Sequence, residues 1–417
     1  MLWRFLNGVI IPDMERFDAV VVGAGPGGSM AAWKLAERGA KVLLLERKPE
    51  IGMVVQCAEG ISHQSLTLFF EPNPRFIASR LNRARFYAPN GDYMEVRKEG
   101  VGYILERRVF DRYIAQRAAE AGAEILTNAT FTRLERKGEN WLVHFSHKGK
   151  NEIVECRLVI GADGPGSNVG RQAGLKLDLD PEDYHYVMEY FMVHPAIEDG
   201  RADFFTGDEY CHKGYGWSFP KGGHYGNVGV GVALVPPEVG AKPYLERFVN
   251  AYFKGAKILG VISSVVPVGG HKMEIYGDGI MVVGDAARLA EPISGGGIPA
   301  ALLSGSIAGE VGAKALKEGN LSKSRLKEYH DRFWEKINRR EYELAYEVRK
   351  VFLKMDDNDI QYLFDQLKPL FHNKDLDTVN ATEIAKFILT AAPQLLLFAA
   401  KKGGAQFVDY LKRAVFG

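Results

Sequence analysis

The sequence predicts an α/β chain with α+β insertions, and three observations carry that prediction. The first is the run AVVVGAGPGGSMAAWKLAERGAKVLLLER, which reads as strand, glycine turn, helix and second strand. The second is MVVGDAARLAEPISGGGIPAALLSG from Met281 to Gly305, a buried strand followed by a glycine-led apolar helix. The third is the stretch from about Tyr184 to Pro267, which is aromatic-rich, alternates in a strand-like way and holds no clear βαβ unit. Together they give a Rossmann-like nucleotide-binding domain, an antiparallel sheet domain and, from Ser322 onward, a helical C-terminal region.

In the first run, Asp18 to Val22 is the buried strand and Ser29 to Arg38 carries apolar residues at helical spacing. Gly23 allows the tight turn, Gly25 lets backbone approach a pyrophosphate, and Gly28 lets helix pack on strand. The helix N-terminus supplies N–H groups and a positive dipole end. Lys41 to Leu45 forms the second strand and ends in Glu46, placed to accept from a ribose 2′-hydroxyl at the spacing this fingerprint requires. Strand, turn, helix, strand and acid together predict a bound nucleotide.

Further on, Pro49 to Gly60 is an irregular loop, Phe86 to Val96 a hairpin turning at Pro89 to Asp92, and Glu106 to Ala121 a strand end entering an amphipathic helix. Ala123 to Leu126 is a short strand. Phe131 to Leu134, Trp141 to His147 and Glu152 to Cys156 form an antiparallel meander, and Leu158 to Ala162 a separate buried strand ending at Asp163. Near residue 280 a buried strand ends at Asp285, whose carboxylate can hold a polyol hydroxyl. Gly295 to Gly297 then open a helix whose N-terminus can face an anion or a flavin carbonyl. Two helix N-termini serving one extended ligand suit a flavin dinucleotide better than a nicotinamide one. The expected division is an N-terminal extension over 1–16, a discontinuous FAD-binding domain over 17–180 and 268–320, a substrate-binding sheet domain over 181–267, and the helical region over 321–417.

With 417 residues the chain can build two or three cores, and its formal net charge of +1 leaves no electrostatic footprint for nucleic acid. Cys57, Cys156 and Cys211 stand alone, so a disulfide framework, an iron–sulfur cluster and a structural zinc site all lack their ligands. A reducing cytoplasm fits this cysteine usage. No window reaches the ~18 apolar residues of a membrane span. Met1 to Pro12 is apolar but lacks a small-residue cleavage site, and Phe387 to Ala400, broken by Pro393, reads as a buried helix pair or an interfacial membrane contact.

Three motifs in order, GxGxxG at Gly23 to Gly28, ADG at Ala162 to Gly164 and GD at Gly284 and Asp285, resemble the FAD flavoprotein family that includes aromatic hydroxylases and geranylgeranyl reductases. QCAEG at Gln56 to Gly60, YGWSFPK at Tyr215 to Lys221 and GDAARLAEPISGGGI narrow the resemblance to archaeal geranylgeranyl reductases acting on prenylated glycerophospholipids. The resemblance implies FAD contacts from Gly23, Gly25, Gly27, Gly28, Glu46, Arg47, Cys57, Ala58, Gly60, Arg107, Ala129, Asp285, Gly297 and Ile298. Glu46 would hold the adenosine ribose, Arg107 the polyol region, and the strand near Ala129 the adenine. It also implies saturation of C=C bonds in a geranylgeranyl chain, with an external electron donor that is NADPH, ferredoxin or F420.

Such a reaction needs a hydride donor, a dry apolar cavity and a proton source. Tyr215, Trp217 and Phe219 alternate, so they can present one face to a long apolar chain. Cys57, in the loop the resemblance puts against the flavin, is the candidate catalytic residue, tuning the ring or donating a proton. Lys221, Arg83 and Arg85 are the cations that could meet a lipid phosphate. A monooxygenase or halogenase on the same scaffold is the alternative enzyme, and a flavin-binding or prenyl-lipid carrier without catalysis the alternative of another class. The expected location is cytoplasmic, with peripheral contact at the inner face of the cell membrane.

Overall fold

The computed structural model describes residues 3–6, 9–12, 14–236 and 238–373. Trp3–Leu6 (β1) and Val9–Pro12 (β2) pair as an antiparallel hairpin at the start of the chain. Arg16–Val22 (β3), Pro26–Ala36 (α1) and Val42–Leu45 (β4) form the expected βαβ unit, with every residue of β4 buried. Helix α1 starts earlier than the apolar spacing suggests because Pro26 fits the first turn, where its missing N–H has no partner to lose.

Gly60–Ser62 (β5), His63–Thr67 (α2), Ile77–Tyr87 (β6), Tyr93–Leu105 (β7) and Arg107–Glu120 (α3) follow. Next come Glu124–Leu126 (β8), Ala129–Lys137 (β9), Asn140–His147 (β10), Lys150–Gly161 (β11) and Asn168–Gln172 (α4). The middle section holds Tyr184–Val193 (β12), Arg201–Phe205 (β13), Asp208–Cys211 (α5), Tyr215–Gly222 (β14), Tyr225–Val232 (β15), Lys242–Tyr252 (α6) and Lys257–Pro267 (β16). Tyr276–Gly277 (β17), Ile280–Val282 (β18), Ile298–Glu318 (α7), Lys323–Ile337 (α8), Arg339–Phe352 (α9) and Asp357–Phe371 (α10) complete the described chain.

The first sheet has the order β17-β18-β11-β3-β4-β8 and is parallel from β18 to β8, with β10 and β9 added beside β11. Here the expected break between the meander and a separate buried strand is corrected. Residues 150–156 of β11 pair antiparallel with β10, while residues 155–161 pair parallel with β3. One continuous strand changes partner, and burial on both faces begins where the parallel neighbour does.

The second sheet runs β16-β12-β15-β14-β13-β6-β7-β5 and is antiparallel except where β13 pairs parallel with β6. This also amends the expected division of the chain: β5, β6 and β7, from residues 60–105, belong to the substrate-side sheet rather than to the nucleotide-binding one. The hairpin itself is local and legible, but its attachment to β13 joins Arg83 with Arg201, far apart in sequence. On one face of β15, Val228, Val230 and Val232 are fully buried and belong to one apolar cluster with Leu245 and Phe248 of α6. The opposite face carries Asn227, Gly229 and Gly231, and it is this face that borders the cavity described below.

Helices α1 and α7 are pressed together by small residues. A Cβ on Gly305 would lie 2.1 Å from Gly27 O, and one on Gly309 would lie 2.7 Å from Ala31 O. Real Cβ atoms do not approach so closely, so only glycine permits this crossing. The C-terminal helices also have a structural task. Tyr342, Tyr346 and Arg349 share one face of α9. Tyr342 Oη donates to Ala290 O at 2.9 Å, Tyr346 Oη donates to Asp183 Oδ1 at 2.7 Å, and Arg349 Nε pairs with His185 Nε2 at 3.0 Å. Burial and the Arg349 charge hold the His185 imidazole neutral, pulled down to about 3.

Residues 387–400 lie outside the described residues. Among the described residues no helix is long and apolar enough to cross a membrane. Because overpacking a tight contact costs about 1–3 kcal/mol or more, Gly305→Val is expected to lower unfolding free energy by about 3 kcal/mol. Denaturant titration checks this, and a loss within about 0.5 kcal/mol would show that the two helices can separate without cost.

Candidate active site

Both helix N-termini open on one cavity of about 1040 Å³, at the top of the range for small-molecule sites and large enough for a cofactor beside a substrate. Neither α1 nor α7 is capped by a side chain at its N-terminus. Gly23 adopts φ +104, and a Cβ there would strike Ala162 O at 2.3 Å; on Gly28 it would lie 1.8 Å from Gly23 O. These two glycines are fixed by packing. Gly25 differs, since a Cβ on it would meet nothing within 4 Å and would project into open space. That is the cradle a pyrophosphate needs at a helix N-terminus.

Glu46 ends β4 with its carboxylate lining the same cavity. Its Oε2 accepts from Ala24 N and its Oε1 from Lys48 N, each at 2.9 Å, which fixes the carboxylate while leaving lone pairs for a ribose. Ala129 N donates to Glu46 O at 2.8 Å, so the start of β9 is held beside the acid. The Arg107 guanidinium forks onto Asp111, with both contacts at 2.9 Å, and both residues border the cavity. Asp285, on the turn Gly284–Ala287, also lines it; burial pushes its carboxyl up, and Arg107 opposes that. Gly297 caps α7 close enough that a Cβ would lie 3.1 Å from Asp285 Oδ1. Asp163 is turned inward, accepting from Val169 N at 3.2 Å. Its Oδ1 is buried without a partner. Uncapped helix ends, an open glycine cradle and carboxylates at either side fit FAD.

The substrate-side sheet supplies the remaining wall. Tyr215, Trp217 and Phe219 project from one face of β14 into the cavity. Tyr215 Oη donates to Ser294 O, which brings β14 against the loop that leads to Gly297. A Cβ on Gly60 would come within 3.3 Å of the Phe219 ring, so the loop carrying Cys57 and Ala58 meets the same wall. Glycine on β15 makes this wall flat: a Cβ on Gly229 would lie 2.4 Å from the Trp217 indole and 2.5 Å from Glu189 Cβ. Strand glycines mark such close approaches, and that signal in YGNVGVGV is what the sequence reading overlooked. Behind the indole, Trp217 Nε1 donates to Glu189 Oε2 at 3.2 Å, and burial together with the Glu59 charge pushes the Glu189 carboxyl far up.

Cys57 Sγ accepts from Glu59 N at 3.2 Å. Burial pushes its thiol up, against the pull of Arg107, so at neutral pH it is a protonated thiol. The structure brings together every residue implied as a cofactor or substrate contact, including Gly27, Arg47 and Ile298. It does not do so for two of the cations. Lys221 is internal, 2.6 Å from Glu59 Oε2 and 3.0 Å from Glu106, and Arg85 is paired with Glu95 at 2.7 Å. Lys221 falls short as a phosphate ligand because a buried cation must be neutralised within the fold. Arg83 alone of the three lines the cavity.

Fold and site together define an FAD-dependent oxidoreductase, and comparison with known proteins agrees. Residues 18–219 match the family of FAD dependent oxidoreductases, and residues 183–268 match the geranylgeranyl reductase catalytic domain. Digeranylgeranylglycerophospholipid reductase from Methanothrix thermoacetophila is 39% identical over 91% of this chain and 98% of its own length. A second such reductase, from Methanopyrus kandleri, is 40% identical over 92% and 98%. The chain belongs to the digeranylgeranylglycerophospholipid reductase family. Among solved structures, a geranylgeranyl bacteriochlorophyll reductase-like protein from Thermoplasma acidophilum superposes with a TM-score of 0.85 at 32% identity, covering 93% of this chain and 99% of that one. The myxobacterial chondrochloren halogenase, 20% identical with a TM-score of 0.66 over 96% and 97% of the two chains, shares the fold.

Gly25→Ser adds a good helix cap and a Cβ in open space, so flavin-free stability is expected to stay within about 0.5 kcal/mol. FAD affinity, followed by flavin fluorescence, is expected to fall at least tenfold. Unchanged FAD affinity would place the pyrophosphate elsewhere.

Proposed function

We propose that this chain saturates C=C bonds in the geranylgeranyl chains of an archaeal ether-lipid precursor such as digeranylgeranylglycerophospholipid. The observation that supports it most is the shared cavity: the aromatic face of β14, the Cys57 thiol and both FAD-facing helix ends border one space. Bound and reduced, FAD supplies hydride from its N5. The protein's own share is position, exclusion of water and a proton. Tyr215, Trp217 and Phe219, with Phe204 and Ile104, give an isoprenoid an apolar wall. An isolated alkene offers no carbonyl to hold charge, so hydride addition at one carbon needs a proton delivered to the other. Cys57 Sγ–H, kept neutral by burial, is the group placed to donate it.

The electron donor is NADPH, ferredoxin or F420, and the prenylated glycerophospholipid is drawn from the inner face of the cell membrane through peripheral contact. Exposed Met53, Val54, Val101 and Ile293 border the same cavity and give that contact an apolar rim.

The test is anaerobic incubation of dithionite-reduced protein with a geranylgeranylated glycerophospholipid, followed by mass spectrometry. Gain of hydrogen pairs is expected; none gained, or oxygen uptake dependent on an aromatic substrate, would refute the reading. Removing a general acid costs about 10²–10⁴-fold, so Cys57→Ala is expected to lose that much turnover while retaining FAD. A proton donor must be protonated. Wild-type turnover should therefore hold through neutral pH and fall only as pH rises above the ordinary thiol range, a limb that Cys57→Ala removes.

A further inference from the structure

Glu59, the acid of QCAEG, has no role assigned to it so far, yet the loop that presents Cys57 is organised around it. It adopts φ +69, a left-handed conformation uncommon for a side chain of its size, and it is buried. Its Oε1 accepts from Arg107 N at 2.9 Å, at the start of α3. Its Oε2 accepts from Lys221 Nζ on β14 and from Asn227 Nδ2 on β15, both at 2.6 Å. Its own N–H donates to Cys57 Sγ, and Asn227 Nδ2 also reaches Ala58 O at 3.3 Å. One carboxylate thus joins the FAD-side helix, two strands of the substrate-side sheet and the thiol loop.

We propose that the Glu59–Lys221 pair is the positioning element for Cys57, fixing both where the thiol stands and the charge that it faces. The proposal rests on the reading of Cys57 as the proton-bearing group. A buried carboxylate left without its cation would be costly, and Lys221, with Glu106 as a second partner, supplies that charge where it cannot serve a ligand. The thiol therefore sits in a field balanced by design of the fold. Arg107, held by Asp111, acts on it from α3, Glu189 from β12 and Tyr215 from β14, while Lys221 and Glu106 form the ion-pair chain behind Glu59. Asp285 and Glu291, from the turns ahead of α7, border the same cavity. Among them Arg107 draws the thiol down, while Glu59 and Glu189 push it up.

Charge and looseness predict opposite patterns of thiol reactivity, and the measurement needs no lipid substrate. The FAD-loaded enzyme is alkylated with iodoacetamide between pH 7 and pH 10, and modification of Cys57 is followed by peptide mass spectrometry, with Cys57→Ser as the blank. Glu59→Gln removes a negative charge and keeps the backbone donor, so its reactivity midpoint is expected to move to lower pH, with several-fold faster alkylation at pH 8. Lys221→Met leaves Glu59 uncompensated and is expected to shift the midpoint to higher pH and slow the reaction. Lys221→Arg should restore it. The double variant Glu59→Gln/Lys221→Met removes the buried pair together and leaves only the more exposed Glu106 without its cation, so its midpoint should return toward that of the unmodified enzyme; it carries the test where Lys221→Met fails to fold. Faster alkylation in every variant at an unmoved midpoint, or no change in any, would overturn the proposal. A failure of lipid reduction with these thiol shifts intact would instead count against Cys57 as proton donor.

Discussion

Everything in this molecule depends on how closely α1 and α7 approach. Gly27, Gly305 and Gly309 remove the side chains that would hold the two helices apart, and the backbone of one helix then rests on the backbone of the other. A pair of ordinary helices packs at 8–10 Å between axes, and a larger residue at Gly305 would widen that spacing directly. The consequence is functional rather than merely dense packing. With the helices in contact, their uncapped N-termini face one cavity, and the positive ends of two dipoles converge on one space.

The same device, glycine used to bring backbone or ring close, recurs on the opposite wall. Gly229 lets the Trp217 indole lie across β15 and reach Glu189 on β12, so a strand gives up its own side chain to make room for a neighbour's. Valines on the other face of β15 hold the sheet against α6, which keeps the glycine face from collapsing. A cavity of this size would otherwise be filled, because interiors pack densely. The balance of one valine face and one glycine face is what keeps it open.

Rigid joints then fix these two walls relative to each other. Glu59 ties α3, β14 and β15 around the thiol loop, and α9 ties His185 of β12 and Asp183 just ahead of it to Ala290 near the second helix start. Both joints are buried and polar, so they are directional in a way that apolar contacts are not. An alkene must be held at a set distance from a hydride donor, and such joints provide that constraint.

Elements whose cause is local can be read along the chain. Gly23 to Gly28, Glu46, Asp285 and Gly295 to Gly297 were legible because a fingerprint specifies one short backbone path around a phosphate, and the alternation of Tyr215, Trp217 and Phe219 specifies one face of one strand. The three-dimensional packing sets how β6 joins β13, why residues 150–161 form one strand instead of two, and that Lys221 pairs with Glu59 rather than with a ligand. It also revealed the part played by Glu59, and Glu189 and the bracing face of α9, which follow no motif. Pairings between residues a hundred positions apart obey burial and charge balance in three dimensions, and a linear pattern carries neither quantity. That is why the glycine turns and the aromatic face of β14 could be read from the chain, while the joints that hold the two walls together had to be seen.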